Sequence, residues 1–164
     1  MDFLQDLFNY SNNNVVNGVT KELNVFYVLE LLKESDDNIL ILTSTLYEAN
    51  LYYNKFLTYT DNVYLFPMDD FITSVAVAIS PELKLKRLET LEHLPGKKNI
   101  VITNLMGYLR FLPNSTNYSK LMLELKKDLT INRDKLIELL DKYGYTKTSL
   151  VTQTGEYDVR GYIV

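Results

Sequence analysis

The segment that decides the fold is Asn14-Val15-Val16-Asn17-Gly18-Val19-Thr20-Lys21-Glu22-Leu23, an apolar stretch that passes through one glycine into a helical pattern. It predicts a strand at Val15-Val16 and a helix that begins near Lys21. In nucleotide-binding α/β domains the first turn from strand to helix binds phosphate, because backbone N–H groups and the helix N-terminus converge there. The composition of this turn is therefore the first indication of function.

The turn lacks the groups that phosphate binding requires. A working phosphate-binding loop has the pattern Gly-x-x-x-x-Gly-Lys-Ser/Thr, in which Lys neutralises the phosphates and the hydroxyl holds Mg²⁺. Counted from Gly18, the second glycine, the lysine and the hydroxyl fall at Leu23, Asn24 and Val25. A helix end alone contributes only about 0.3–1 kcal/mol to anion binding. We predict no bound cofactor and a degenerate loop formed by Gly18, Val19, Thr20 and Lys21.

Farther along the chain, strand patterns alternate with helix patterns. Strands are predicted at residues 38–43, 63–66 and 99–103, and helices at residues 2–10, 21–34, 45–57, 81–94 and 105–111. This alternation predicts an α/β fold with a parallel sheet. Residues 38–43 are apolar almost throughout, so we expect this strand at the centre of the sheet. Residues 68–79 give no clear pattern.

The pattern changes after residues 113–117, a Pro-Asn-Ser-Thr-Asn stretch with the composition of a linker. We predict an α/β subdomain at residues 1–118 and the beginning of a second, α+β subdomain at residues 119–164. The second part is predicted to contain a strand at residues 121–125 and a helix at residues 132–143, with Gly144 as its left-handed C-terminal residue. A hairpin-like tail of residues 149–151 and 157–164 is predicted to follow.

The overall composition excludes several classes of function. The chain has 164 residues, a formal net charge of −4, no cysteine and one histidine. An acidic chain without a long basic run does not fit a nucleic-acid binder dominated by phosphate contacts. The absence of cysteine and the single His exclude a disulfide framework and the usual zinc sites. No apolar run is long enough for a membrane span, and the N-terminus carries Asp2 and Asp6 where a signal peptide is positive. We predict a cytoplasmic protein without a metal site or membrane contact.

Two polar features resemble parts of catalytic sites. Asp69-Asp70 follows an apolar strand, as the magnesium-binding acid of an ATPase does, but Pro67-Met68 intervenes and the loop offers no lysine. We interpret these residues as solvated or capping acids. His93 ends an amphipathic helix without a Ser or Cys motif near it, so we interpret it as a helix C-terminal residue. No catalytic residue is predicted.

Tyrosine is abundant, with 13 residues. A base-stacking platform is one interpretation of Tyr47, Tyr52, Tyr53 and Tyr59. Few basic residues accompany them, and several fall within one predicted helix. Packing of the core and of the subdomains is the better interpretation.

Three parts of the sequence resemble a known family. Gly18-Val19-Thr20 opening a helix resembles the first turn of UvrB, the helicase-like subunit of bacterial nucleotide excision repair. Residues 65–67, 86–95 and 100–103 resemble the N-terminal UvrB-like module of the transcription-repair coupling factors. Residues 129–136, 143–145 and 155–161 resemble the start of the second domain of both families, and Gly-Glu-Tyr-x-x-Arg-Gly at residues 155–161 is the most specific part.

The resemblance implies a three-layer α/β domain of the helicase or RecA-like type, followed by the beginning of a domain that docks UvrA, the damage-recognising ATPase. UvrB keeps its phosphate-binding loop and the coupling factors have lost it in this module, as this chain has. In the family the last strand continues past the position of Val164, so the resemblance implies a fragment. The motor domains and the region that binds RNA polymerase would then lie outside this chain, and with them the contacts to DNA and RNA polymerase.

Arg160 is the main candidate for a contact with UvrA. If residues 157–164 form a strand, side chains alternate between its faces. Tyr157, Val159, Gly161 and Ile163 then face the core, while Asp158, Arg160, Tyr162 and Val164 face outward. The resemblance implies that an arginine at the position of Arg160 contacts UvrA, and a guanidinium suits this role because it can make two hydrogen bonds to one carboxylate.

We therefore predict partner-binding residues Arg160, Tyr162 and Asp158. UvrB has a second arginine where this chain has Asp158, so the contact differs in charge there. The alternative for Arg160 is an ordinary surface ion pair. The predicted function is that of a non-catalytic adaptor that helps to recruit UvrA. The alternatives are a nucleotide-binding ATPase or helicase fragment, and an autoinhibitory domain that contacts other domains of the parent protein.

Overall fold

A computed structural model describes residues 15–70, 80–112, 114, 118 and 122–164. The chain separates into two compact units, Met1–Arg110 and Phe111–Val164. The first unit contains α1 (Lys21–Glu34), β1 (Ile39–Thr43), α2 (Leu46–Phe56), β2 (Val63–Phe66), α3 (Pro81–His93), β3 (Ile100–Asn104) and α4 (Leu105–Tyr108). The second contains α5 (Arg133–Lys142), β4 (Thr146–Lys147) and β5 (Glu156–Tyr157). The predicted helix at residues 2–10 lies outside the described residues, as do residues 71–79 of the stretch without a clear pattern.

The first unit has a parallel sheet in the order β1-β3-β2. Its central strand is β3, which is buried at every position. The prediction that residues 38–43 form the central strand is wrong: β1 is at the edge of the described sheet, and Leu40 and Leu42 are 53% and 48% exposed. An apolar run identifies a strand but does not show how many neighbours the strand has, because β1 and β3 are similarly rich in Ile, Leu and Val.

One face of this sheet packs against α1 and α2. The register places Val63 opposite Ile100 and Leu65 opposite Ile102. These four side chains form a buried cluster with Val25 of α1 and with Ala49 and Phe56 of α2. Parallel strands connected through helices confirm the predicted α/β class.

The helix ends follow from their capping residues. The hydroxyls of Thr20 and Thr45 accept hydrogen bonds of 3.2 Å from the backbone N–H groups of Leu23 and Glu48, which fixes the starts of α1 and α2. The predicted helices at residues 21–34, 45–57 and 81–94 are confirmed within a residue or two. The predicted helix at residues 105–111 is shorter and ends at Tyr108.

In the second unit, α5 is confirmed and the extended elements are not. Asn132 caps the helix with two hydrogen bonds from backbone N–H groups, and Gly144 follows it with φ of +84°. Residues 122–126 have no regular structure, so the predicted strand at residues 121–125 is wrong over the part that is described. The predicted hairpin-like tail is also wrong, because residues 149–151 form no strand and β5 pairs instead with β4, in parallel. The apolar residues at 122–125 are not enough to form a strand, because a strand also needs a neighbouring strand to which its backbone can bond.

Candidate functional site

The Gly18 loop is a turn that leads into α1. Gly18 has φ of +74°, and residues 15–18 are exposed without helix or strand. The predicted strand at Val15-Val16 is therefore wrong; two valines are too short an apolar run to hold a strand, and Val15 is 84% exposed. Val25, where the motif needs its hydroxyl, is buried in the core at 1% exposure. At this position of the motif, α1 therefore contributes a side chain to the core and not a hydroxyl to a ligand.

A network of hydrogen bonds occupies the carboxyl end of the sheet, where open α/β folds place their ligands. The fully buried amide of Asn104 accepts a 3.1 Å bond from the Met68 backbone N–H and donates 2.7 Å bonds to the Met68 carbonyl and to Oδ1 of Asp70. Both carboxylate oxygens of Asp70 accept from the backbone N–H of Leu46 at 2.9 Å. A carboxylate of the chain itself thus lies at the N-terminus of α2, the kind of position that favours an anion.

Asp70 and His93, two further candidates from the sequence, bond to other parts of the protein. Asp70 is a capping acid, as predicted. His93 is the last residue of α3: its Nδ1 is 2.9 Å from the Glu89 carbonyl, and its ring stacks on Tyr64 with centroids 4.4 Å apart. The predicted position at a helix C-terminus is confirmed.

The four tyrosines divide into two pairs. Tyr52 and Tyr53 pack against the core, as predicted. Tyr47 and Tyr59 are 75% and 56% exposed, so core packing is wrong for them, although Tyr59 meets Phe26 edge to face at 5.2 Å. These tyrosines therefore do not form one surface.

In the second unit, Tyr157 anchors the Gly155–Gly161 segment to α5. Its side chain is 6% exposed, and its hydroxyl donates a 2.7 Å hydrogen bond to Oδ1 of Asp141. This bond to a carboxylate raises the pKa of Tyr157. The phenol therefore connects β5 to the last turn of the helix.

Glu156 organises the loop that precedes it. Its Oε2 accepts from the backbone N–H groups of Thr152 and Gln153 at 2.8 and 3.3 Å and from the Thr152 hydroxyl at 3.1 Å. These bonds, the Thr152 N–H first, lower the pKa of Glu156 because they favour the ionised carboxylate. The Gly-Glu-Tyr part of the motif therefore shapes the unit internally.

Arg160 is exposed and lies beside a tight turn. Its side chain is 71% exposed, its Nε donates to Oδ2 of Asp158 at 2.7 Å, and its Nη2 donates to the Ser149 carbonyl at 2.9 Å. The bond from Arg160 lowers the pKa of Asp158. Tyr162, at the tip of the turn, is 98% exposed. Exposed arginine and tyrosine side chains such as these two are residue types that protein contacts use often.

The predicted alternation of residues 157–164 is only partly correct. Arg160 and Tyr162 are exposed and Tyr157 is buried, but Ile163 is 74% exposed and Asp158 is partly buried. The cause is a turn: Arg160 and Ile163 bond to each other across Gly161-Tyr162, which ends the strand geometry. The predicted site residues Arg160, Tyr162 and Asp158 lie within one short segment, where Arg160 and Asp158 form an ion pair.

Sequence reasoning missed Arg133, whose Nη1 donates a 2.6 Å hydrogen bond to the Gly161 carbonyl. The residue follows the cap of a predicted helix, a position that gives no indication of a partner 28 residues away.

Within the described ranges no cluster of His, Asp and Glu could hold a metal ion. None of the helices described is both long and apolar enough to span a membrane.

The structure shows an α/β unit and, later in the chain, a small second unit that carries the exposed Arg160 and Tyr162. Residues 123–164 match the family model described as the UvrB interaction domain. Over 155 residues, 93% of this chain, the sequence is 28% identical to transcription-repair-coupling factors from Staphylococcus aureus and Staphylococcus epidermidis. The predicted resemblance to the transcription-repair coupling factors is confirmed. The chain spans 13% of the length of these relatives.

Proposed function

We propose that this chain is a non-catalytic adaptor module in transcription-coupled DNA repair and that its second unit docks a UvrA-like protein. The observation that carries the proposal is the exposed Arg160-Gly161-Tyr162 segment inside the stretch that matches the UvrB interaction domain. The names of the similar proteins, transcription-repair-coupling factors, support the repair context. The site of action we propose is the bacterial cytoplasm.

Arg160 supplies the contact in this proposal. Its guanidinium is held in place by Asp158 and the Ser149 carbonyl through Nε and Nη2, so little side-chain freedom is left to lose on binding. A carboxylate on the partner can still approach the exposed remainder of the planar group. Tyr162 adds a large aromatic surface at low conformational cost.

For the first unit we propose a three-layer helicase-like or RecA-like domain that has lost its nucleotide site. Support comes from two places, the Gly18 loop without the lysine and hydroxyl of the motif, and the Asp70 carboxylate at the N-terminus of α2. The Asp70 carboxylate already binds the Leu46 N–H at the start of α2, and its negative charge disfavours binding of a triphosphate at that helix end. Micromolar binding of Mg²⁺-ATP in a calorimetric titration of this chain would contradict this part of the proposal.

The docking proposal is tested by measuring the affinity of a purified UvrA protein for this chain and for its Arg160→Ala variant. We expect the variant to bind at least about tenfold more weakly, since a hydrogen bond to a charged group contributes roughly 1.5–3 kcal/mol. Its melting temperature should change little, because surface ion pairs contribute only about 0–1 kcal/mol.

Lys127→Ala is the matched control. It removes one exposed positive charge from the same unit, before the α5 cap, and should leave the affinity unchanged. Equal affinity of the Arg160→Ala variant and the unaltered chain would refute the assignment of Arg160. A chain that does not bind UvrA at all would refute the docking function.

A further inference from the structure

Arg133 connects the start of α5 to the turn that carries Arg160 and Tyr162. Its Nη1 donates to the Gly161 carbonyl at 2.6 Å. Its Nε and Nη2 lie 3.2 and 3.1 Å from Oδ1 of Asp134, the next residue of the helix. The neighbouring carboxylate thus fixes the plane of the guanidinium and leaves Nη1 for the turn.

The bonded carbonyl belongs to the peptide that decides the shape of this turn. The Arg160 N–H donates to the Ile163 carbonyl at 3.0 Å and the Ile163 N–H donates to the Arg160 carbonyl at 3.1 Å, which closes a two-residue loop. Gly161 has φ of +61° and Tyr162 is not among the residues with positive φ, so the loop fits a type II′ turn and not a type I′ turn, which requires positive φ at both central residues. These two turn types differ in the orientation of the peptide between their central residues.

The orientation of that peptide also sets the direction of Tyr162, because the Gly161 carbonyl and the Tyr162 N–H are parts of the same planar group. The closing bonds involve only Arg160 and Ile163, and the Gly161-Tyr162 sequence already favours this orientation because the other one would require positive φ at Tyr162. The hydrogen bond from Arg133 to the Gly161 carbonyl further stabilises this arrangement of Tyr162 relative to Arg160.

We propose that Arg133 is a positioning residue of the docking site: by binding the Gly161 carbonyl it holds Arg160 and Tyr162 in the arrangement that the partner recognises. The inference rests on the proposed docking of a UvrA-like protein. In this inference Arg133 strengthens binding indirectly: it contacts the turn within the second unit and does not contact the partner.

The first test needs no partner. Exchange rates of the Arg160 and Ile163 amide protons are measured by NMR in the whole chain and in its Arg133→Ala and Arg133→Lys variants. We expect exchange about three- to tenfold faster in Arg133→Ala, the factor that one hydrogen bond of ordinary strength supplies. Arg133→Lys, which keeps the charge and loses the fork, should lie between the two.

Lys135→Ala is the control on the same helical turn and should leave both exchange rates unchanged. Unchanged rates in Arg133→Ala would overturn the proposal. If Arg133→Ala fails to fold, Arg133→Lys decides alone: faster exchange at Arg160 and Ile163, with Tyr157 unaffected, supports the proposal, and unchanged exchange overturns it.

The second test is a double-mutant cycle on the affinity for UvrA. We expect Arg133→Ala to weaken binding about five- to tenfold, and the double variant with Arg160→Ala to lose less affinity than the sum of the two single losses, because both changes act on one element. Additive losses would mean that Arg133 contacts the partner itself, which overturns the positioning role. Absence of UvrA binding by the unaltered chain would sink the docking function, whereas the amide exchange would still decide whether Arg133 orders the turn.

Discussion

The two units of this chain are held together in different ways. In the described part of the first unit, side chains from two helices and three strands form one apolar core, and Phe56, Ile100 and Ile102 are 0% exposed. In residues 122–164, Tyr157 is the one buried side chain, and the apolar face of α5 is only partly covered.

The second unit depends instead on individual polar contacts. Tyr157 bonds to Asp141, Glu156 to the preceding loop, and Arg133 to Gly161. Substitutions in an apolar core lower stability in proportion to the side-chain volume removed. In a unit ordered by hydrogen bonds, removal of a single donor or acceptor atom can lower stability. The difference matters for function because the proposed docking residues belong to the second unit, whose shape a small chemical change can alter.

The largest effect is expected from Phe56→Ala in the first unit. The side chain is fully buried between α2 and the sheet, so its removal should cost about 3–5 kcal/mol of unfolding free energy. Urea unfolding followed by NMR signals of the first unit measures this loss. Tyr47→Ala on the same helix is the control, because Tyr47 is 75% exposed and its removal should change stability by less than about 0.5 kcal/mol. Equal losses in the two variants would mean that the core described here does not hold the unit.

The same contrast explains what the sequence could predict. The elements around the core have long patterns and clear capping residues, so the boundaries of α1, α2 and β2 follow from the sequence. The order of the strands does not, because burial on both faces depends on neighbours that are distant in sequence. The apolar run at residues 38–43 therefore predicts a central strand, whereas the central position belongs to Ile100–Asn104.

For the proposed docking site, the sequence indicates candidate residues but not their geometry. The Gly-Glu-Tyr-x-x-Arg-Gly motif contains the candidate Arg160, and the amphipathic pattern of residues 132–143 predicts the helix that the structure shows at Arg133–Lys142. The turn at Gly161 and its link to Arg133 could not be predicted, because both depend on contacts between segments without periodic patterns. Alternation along residues 157–164 failed for the same reason, since one turn reverses the chain.

A smaller effect is expected from Tyr157→Phe in the second unit. The substitution keeps the ring and removes the hydroxyl that donates to Asp141, so the carboxylate loses its bond while the packing is preserved. We expect the melting temperature of this unit to fall by a few degrees, with that of the first unit unchanged. Residue-resolved NMR signals recorded during heating separate the two units.

Tyr145→Phe is a matched control, because Tyr145 is 39% exposed in the same unit. It should leave both transitions in place. A Tyr157→Phe variant that melts like the unaltered chain would show that this hydrogen bond does not order the unit, and the contrast between core and polar contacts would then lose its best example.

The smallest effect is expected from acidification. Hydrogen bonds lower the pKa of Glu156 below its ordinary value of 4.5, so the folded unit takes up a proton there less readily than the unfolded chain. The stabilisation is therefore complete above the ordinary pKa and is lost as the pH falls through the lowered pKa of the folded state. Asp158, whose pKa the Arg160 guanidinium also lowers, acts in the same direction. We expect the second unit to lose stability below about pH 4.5.

Glu156→Gln should flatten part of that dependence, because the amide does not titrate and keeps one acceptor oxygen for the Thr152 N–H. Glu138→Gln on the exposed face of α5 is the control and should leave the pH profile of the unit unchanged. Melting temperatures from pH 3 to pH 7, a range about the ordinary carboxyl values, test this; an equally steep profile in the Glu156→Gln variant would remove Glu156 from the contacts that distinguish the second unit from the first.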